Sequence, residues 1–249
     1  EESNSFLRRT EEKGLRRKEV GKRYYAYRPA EHIQENAKGL SADLSALGIA
    51  HFVYDGDLEV NYNGYTVISR RQASTLPDGS VAINNDLTVP YKEASVHEAF
   101  HSKLLLQDEN ALCFYEIVVL QINSANKTFI EMSNKIAEKH FGNRFDITTD
   151  YEKLYNEFAA YVCGFINNGR ENEISEIFYD FDAVKEAYNK LFSELHPPKD
   201  FRKSLNDTRT VNSLVKENEK LREALELAKR ELQLTKGHKM NPKQVEALA

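Results

Sequence analysis

No stretch of the 249-residue chain approaches the roughly 18 apolar residues that a membrane-spanning helix needs, and the opening EESNSFLRRT has no apolar signal region. These absences lead us to expect a cytoplasmic protein with no membrane partner. Cysteine is scarce. Cys113, in ALCFYEIV, and Cys163, in AAYVCGFI, each sit among apolar neighbours and form no CxxC pair, which points to two buried free thiols. An excess of basic charge is also lacking: the net charge of -5 argues against a nucleic-acid partner. The basic cluster RRTEEKGLRRKEVGKR is interleaved with Glu11, Glu12 and Glu19 and reads as a solvated helical segment. The chain also lacks an initiating methionine and stops within the helical pattern NPKQVEALA, so a fragment of a longer protein is expected.

What is present is enough for a core of ordinary size, with 41% hydrophobic residues. Residues 1–28 form a basic N-terminal segment, and a main domain is expected over 29–198. Its first element is an amphipathic helix with Pro29 as an early residue and Ile33, Ala37, Leu40, Leu44 and Leu47 on its apolar face. The period then changes to two. Residues 50–70 and 79–87 carry β-branched and aromatic side chains broken by Asp55-Gly56, Asn63-Gly64 and Asp78-Gly79, which predicts a small sheet of three or four strands joined by turns. From Pro90 onward the pattern is helical: one helix over 91–106, a long helix or a pair over 111–141, and further helices over 148–168 and 173–195, ending at His196-Pro197-Pro198. The expected fold class is α+β, a small N-terminal sheet followed by a mostly helical half.

Residues 199–210 read as a linker. Over 211–236 a heptad pattern places Val211, Asn218, Leu225 and Leu232 at a positions and Leu214, Leu221 and Ala228 at d, predicting a coiled-coil helix that can form a homodimer through 211–234. Residues 237–249 would begin a further segment.

The chemistry concentrates in ASVHEAFHSKLL, residues 94–105. A helix turns about 100° per residue, so His97 and His101 project from one face and can share a metal ion, while Glu98 is rotated away from the ion yet within reach of a water beside it. Zinc hydrolysis uses these separate roles: a metal that acidifies water and polarises a carbonyl, and a carboxylate that takes the proton. The strand SVAINN ahead of the helix offers an edge on which an extended peptide can pair.

A catalytic zinc site takes three protein ligands. An extended motif with a third histidine is excluded, because Leu104 and Gln107 stand where its glycine and histidine would be. Downstream carboxylates remain: Glu109, Glu116, Glu131, Glu152 and Glu157. Glu157, in LYNEFAAYVCGF, shares or flanks a helical face with Leu154, Ala160, Tyr161 and Gly164, where a carboxylate is costly unless it is paired or on a metal. A buried salt bridge is the competing role for Glu157, and Glu116, in FYEIVV, is the rival ligand. Small Ala160 and Gly164 would let this helix approach the histidine helix closely. His140 and His196 lie near helix ends and read as capping or solvated residues, His51 as a strand residue and His32 as a surface one. Tyr151 and Tyr155 are candidate donors to a developing oxyanion.

His97-Glu98-Ala99-Phe100-His101 followed by Glu157-Phe158-Ala159-Ala160 resembles the gluzincin branch of zincin metallopeptidases, and NEFAAYV is similar to the third-ligand helix of anthrax lethal-factor-type peptidases and of metallopeptidase domains in phage polyproteins. The resemblance implies a zincin-like domain in which His97, His101 and Glu157 bind Zn2+, Glu98 is the base and the substrate is a protein or peptide. The tyrosine that precedes the third ligand in lethal-factor-like enzymes has no unambiguous counterpart. Both ends of the chain look like segments that flank such domains in prophage and mobile-element proteins. A catalytically idle scaffold with a structural metal and a peptidase toxin or effector delivered into another cell are the alternative roles.

Overall fold

The sheet starts well before the turn dipeptides that announce it. The computed structural model describes residues 2–142 and 147–195. Helix α1 (Glu2–Glu12) leads into a hairpin of β1 (Arg16–Val20) and β2 (Arg23–Pro29), so the basic segment is helical only over α1. Gly21, at φ 59°, supplies the left-handed residue of the two-residue turn. Val20, Tyr25 and Tyr27 are buried while Arg16, Arg17 and Arg23 stay in solvent, an alternation hidden in the sequence by its charge.

Pro29 closes β2 rather than opening a helix, and α2 spans Glu35–Ala46. The intervening residues are tied to the sheet: Ala30 N donates to Val53 O at 3.1 Å, and Gln34 N to Asn85 Oδ1 at 2.8 Å. Ile33 therefore leaves the apolar stripe and is 46% exposed, whereas Ala37, Leu40 and Leu44 are fully buried.

Four strands follow: β3 (His51–Tyr62), β4 (Tyr65–Ser69), β5 (Ala73–Thr75) and β6 (Val81–Asn84). They complete a six-stranded sheet in the order β1-β2-β3-β6-β5, with β4 also paired to β3. Asn63-Gly64 makes the β3–β4 turn, with φ of 49° and 86°. Asp55-Gly56 makes none. Gly56 takes a φ of 71° inside β3, where the register with β2 shifts between Ala26 and Arg28. A glycine in the left-handed region suits a bulge as well as a turn. One edge of β3 follows β2; the other is shared, parallel to β6 over His51–Tyr54 and antiparallel to β4 over Leu58–Tyr62.

Alternation along β6 sorts the two faces. Val81 and Ile83 join the helical core, and Ala82 points the other way, into a smaller cluster with Tyr25, Tyr54 and Leu58. The helical layer consists of α3 (Tyr91–Leu105), α4 (Glu109–Gln121), α5 (Lys127–His140), α6 (Ile147–Asn167) and α7 (Phe181–Leu191). Residues 111–141 are thus a helix pair, separated where Asn126 accepts from Phe129 N and caps α5. Helix α6 lies directly on α3: Ala160 is fully buried, and a Cβ at Gly164 would stand 2.7 Å from Glu93 Cγ.

The architecture is α+β, and residues 1–196 form one compact unit. Cys163 is buried as expected, but Cys113 is exposed, because Ala111, Phe114 and Val118 occupy the core face of α4. Among the described residues no helix is long and apolar enough to cross a membrane. The linker at 199–210, the coiled-coil helix at 211–236 with its dimer, and residues 237–249 lie outside the described residues.

Candidate metal centre

Helix α3 presents His97 and His101 one turn apart, their rings 4.9 Å between centroids and nearly perpendicular. The same helix buries Val96, Ala99 and Phe100 on its opposite side, which fixes its rotation. Glu157 reaches the pair from α6. Its Oε2 lies 3.5 Å from His97 Nε2 and 3.5 Å from His101 Nε2, and the three ligand atoms fall within 4.8 Å of one another. Metal–donor bonds of about 2.0–2.1 Å in a tetrahedral arrangement separate the donors by about 3.4 Å, so these contacts have the spacing of ligands around one ion.

Glu157 Oε2 is also a buried atom with no hydrogen-bond partner among the described residues. At 3.5 Å the imidazoles are too far for well-formed hydrogen bonds, and a buried carboxylate oxygen left in that state is costly. A cation among these donors removes the cost, so the residues present fit a metal. The electrostatics agree. Burial pushes the Glu157 carboxyl up, but His101 and His97 outweigh it and hold the group far below the usual carboxylate range. Burial disfavours the His101 imidazolium, yet Glu157, with Glu98 adding to it, raises its proton affinity above the ordinary histidine value. The centre stabilises positive charge between two imidazoles and an acid.

Glu98 is buried at 9% exposure, and its Oε2 accepts a hydrogen bond from Thr75 Oγ1 at 2.8 Å; the same hydroxyl lies 3.0 Å from the Glu98 carbonyl. Thr75 ends β5, the outermost strand on this side of the sheet. The strand expected to offer a free edge, residues 80–85, is instead interior: β6 is parallel to β3 on one side and antiparallel to β5 on the other. The edge nearest the centre belongs to β5, and Ala73 and Thr75 line a cavity of about 810 Å³ that also contains His97, Glu98, His101 and Glu157.

Of the carboxylates weighed as the third ligand, Glu109, Glu116, Glu131 and Glu152 are exposed and do not line this cavity. The two tyrosines chosen as oxyanion donors are also elsewhere. Tyr151 is 49% exposed beside Glu152, and Tyr155 stacks on Phe129. On α6 they stand about 120° and 160° around the helix from Glu157. Tyr161, one turn beyond Glu157 and about 40° from it, faces the cavity with its ring 4.9 Å from that of His97. Its hydroxyl oxygen accepts from Lys139 Nζ at 2.7 Å and lies 3.1 Å from His140 Nε2.

His140 is a further departure from expectation. It ends α5, but its Nδ1 lies 3.5 Å from Glu157 Oε2 instead of capping the helix. Burial lowers its proton affinity below the ordinary value; Glu157 opposes this, and the charges of Lys139, Arg71 and His97 reinforce it. His51 bonds Ser41 Oγ at 2.7 Å and the Ile49 carbonyl at 2.9 Å, as a satisfied strand residue does. Comparison of the chain with protein-family models, with curated proteins and with solved structures finds no match.

Proposed function

We propose that this chain is a zinc-dependent endopeptidase of the gluzincin type, with a zincin-like domain acting on a protein or peptide. The observation that carries the reading is the convergence of His97, His101 and Glu157 from two helices at the spacing of one tetrahedral ion, with Glu98 beside them in a single open cavity. The ligand set, two imidazoles and one carboxylate, is that of hydrolytic zinc sites which keep a fourth position open. When bound, zinc supplies Lewis acidity, making water more acidic and a carbonyl more electrophilic.

The chain supplies the remaining work. Glu98 takes a proton from the attacking water and delivers it to the amide nitrogen as the carbon–nitrogen bond breaks, leaving a carboxylic acid and an amine. The Thr75 hydroxyl holds the Glu98 carboxylate in one orientation. Tyr161 takes the role first given to Tyr151 and Tyr155, turning its hydroxyl toward the developing oxyanion. His140 steadies Glu157 from outside the ligand set. Among the described residues β5 pairs with β6 alone, and its other edge gives an extended peptide backbone a partner alongside the centre.

Metal analysis with the Glu98→Gln variant tests the reading. We expect about one zinc per chain in wild type and variant alike, with hydrolysis of a broad peptide library by wild type alone. Equal behaviour of the two proteins on that library removes the peptidase assignment.

A further inference from the structure

Resting on the peptidase reading, the charge distribution around the cavity names a substrate class: we infer that the cleft selects peptides carrying an acidic side chain within about four residues of the bond to be cut, held by Arg70 and Arg71. Both arginines line the cavity and are exposed. Neither guanidinium makes an ion pair or hydrogen bond among the described residues. Several other cations are matched, among them Arg9 and Lys13 with Glu59, Lys18 with Asp78, and Arg170 with Glu93 and Glu173.

The cavity wall carries three acids, of which Glu93 is paired with an arginine. Glu157 belongs to the metal centre, Glu98 is bonded to Thr75, and Glu93 lies 3.5 Å from Arg170. Lys139, which also lines the cavity, adds a third positive charge. With Glu93 paired to Arg170, the three cations Arg70, Arg71 and Lys139 outnumber Glu98 and Glu157, and a bound acidic group neutralises the excess.

The backbone beneath the arginines is fixed. The Arg71 carbonyl accepts from Tyr54 Oη at 3.2 Å, the Gln72 carbonyl accepts from Asn84 N at 2.8 Å, and the Gln72 side chain bonds Thr88 and Val89. Arg71 and Thr75 lie four residues apart in sequence, a span of about 13 Å in extended chain. A peptide paired to the β5 edge would thus pass the arginines within about four of its own residues from Glu98. The planar guanidinium fork matches a carboxylate with two parallel hydrogen bonds.

The test uses binding, so it does not depend on turnover. The zinc-loaded full chain carrying Glu98→Gln is titrated with two fluorescein-labelled decapeptide pools, identical except that two fixed positions hold Glu in one and Lys in the other, and anisotropy is read. We expect the Glu pool to bind roughly tenfold tighter, with the preference shrinking as salt is raised. The preference should persist after zinc removal and disappear in Arg70→Gln/Arg71→Gln. Equal affinities, no measurable binding of either pool, a preference that survives the double substitution, or one that vanishes with the metal overturns the inference. Failure of wild type to cleave either pool counts instead against the peptidase reading and leaves the binding result standing.

Discussion

The Thr75 hydroxyl meets Glu98 twice, 2.8 Å from its carboxylate oxygen and 3.0 Å from its backbone carbonyl. The end of an edge strand is thereby bonded to the residue assigned as the base. Replacing Thr75 by valine keeps the shape and removes the donor. We expect kcat/KM on a peptide substrate to fall about tenfold, the equivalent of one hydrogen bond to a charged group, with zinc content unchanged. Wild-type kinetics in Thr75→Val would detach the hydroxyl from the mechanism.

Tyr161→Phe is expected to lower kcat about 100-fold, the scale of losing one oxyanion donor, while leaving zinc bound. Tyr151→Phe and Tyr155→Phe should match wild type within about twofold, since neither lines the cavity. A loss in either of those variants, with none in Tyr161→Phe, reverses the assignment.

Zinc titration separates the carboxylates. Glu157→Ala should weaken zinc by more than about 100-fold and His140→Ala by about 10-fold to 100-fold, the range found for residues that orient a ligand. Glu116→Ala should have no effect. Adding a chelator should lower the Tm of wild type and leave that of Glu157→Ala nearly unchanged, because only a site that binds in the folded state adds stability. A chelator-insensitive wild type speaks against a bound metal.

Gly164→Ala would place a methyl group 2.7 Å from Glu93 Cγ and 3.4 Å from the Glu93 carbonyl oxygen. The Glu93 side chain, or the helix that carries it, must then shift. We expect a loss of about 1–3 kcal/mol in urea unfolding, together with weaker zinc binding. Stability equal to wild type would mean that the contact relaxes freely.

Asp78 supplies a pH dependence far from the cleft. Burial raises its carboxyl pKa, but hydrogen bonds from Lys18, from the Ser80 hydroxyl and from the Ser80 N–H more than offset this and hold it below the usual carboxylate range. A folded-state value below the unfolded one stabilises the protein above the unfolded pKa of about 3.9, and that gain is lost as pH falls through the folded value. Asp78→Asn should therefore be less stable than wild type near neutral pH, by a small amount because the carboxylate is 38% exposed. Unfolding curves should converge below about pH 4; a gap that stays constant with pH excludes the ionic origin.

How much of this was legible depended on whether the relevant residues were neighbours in sequence. His97 and His101 are one helical turn apart, and Glu157 stood out as an acid on an apolar helix face; both signals are local. His140 joins the centre only because α5 ends against α6, a return path that no spacing within either helix encodes. Tyr161 shared the face of Glu157 and was open to the same arithmetic as Tyr155. Strand order was hidden for a related reason: Val81–Asn84 reads alike as an edge or an interior strand, and only the pairing of β5 decides it. The arginines of Arg16–Pro29 mask its hairpin, and Gly56 resembles a turn residue because turn and bulge ask the same backbone freedom of a glycine.

The shared edge of β3 has a mechanical consequence. Its neighbour changes from β6 to β4 just past Gly56, so the bulge meters how far the parallel partner extends. From β6 the alignment passes to β5, and thence to the Thr75 hydroxyl bonded to Glu98. A slip of one residue in β3 would invert the inward and outward sets of its side chains and be handed across two strands to the cleft. Turnover should thus be sensitive to insertions at residue 56, on a part of the sheet that does not line the cavity.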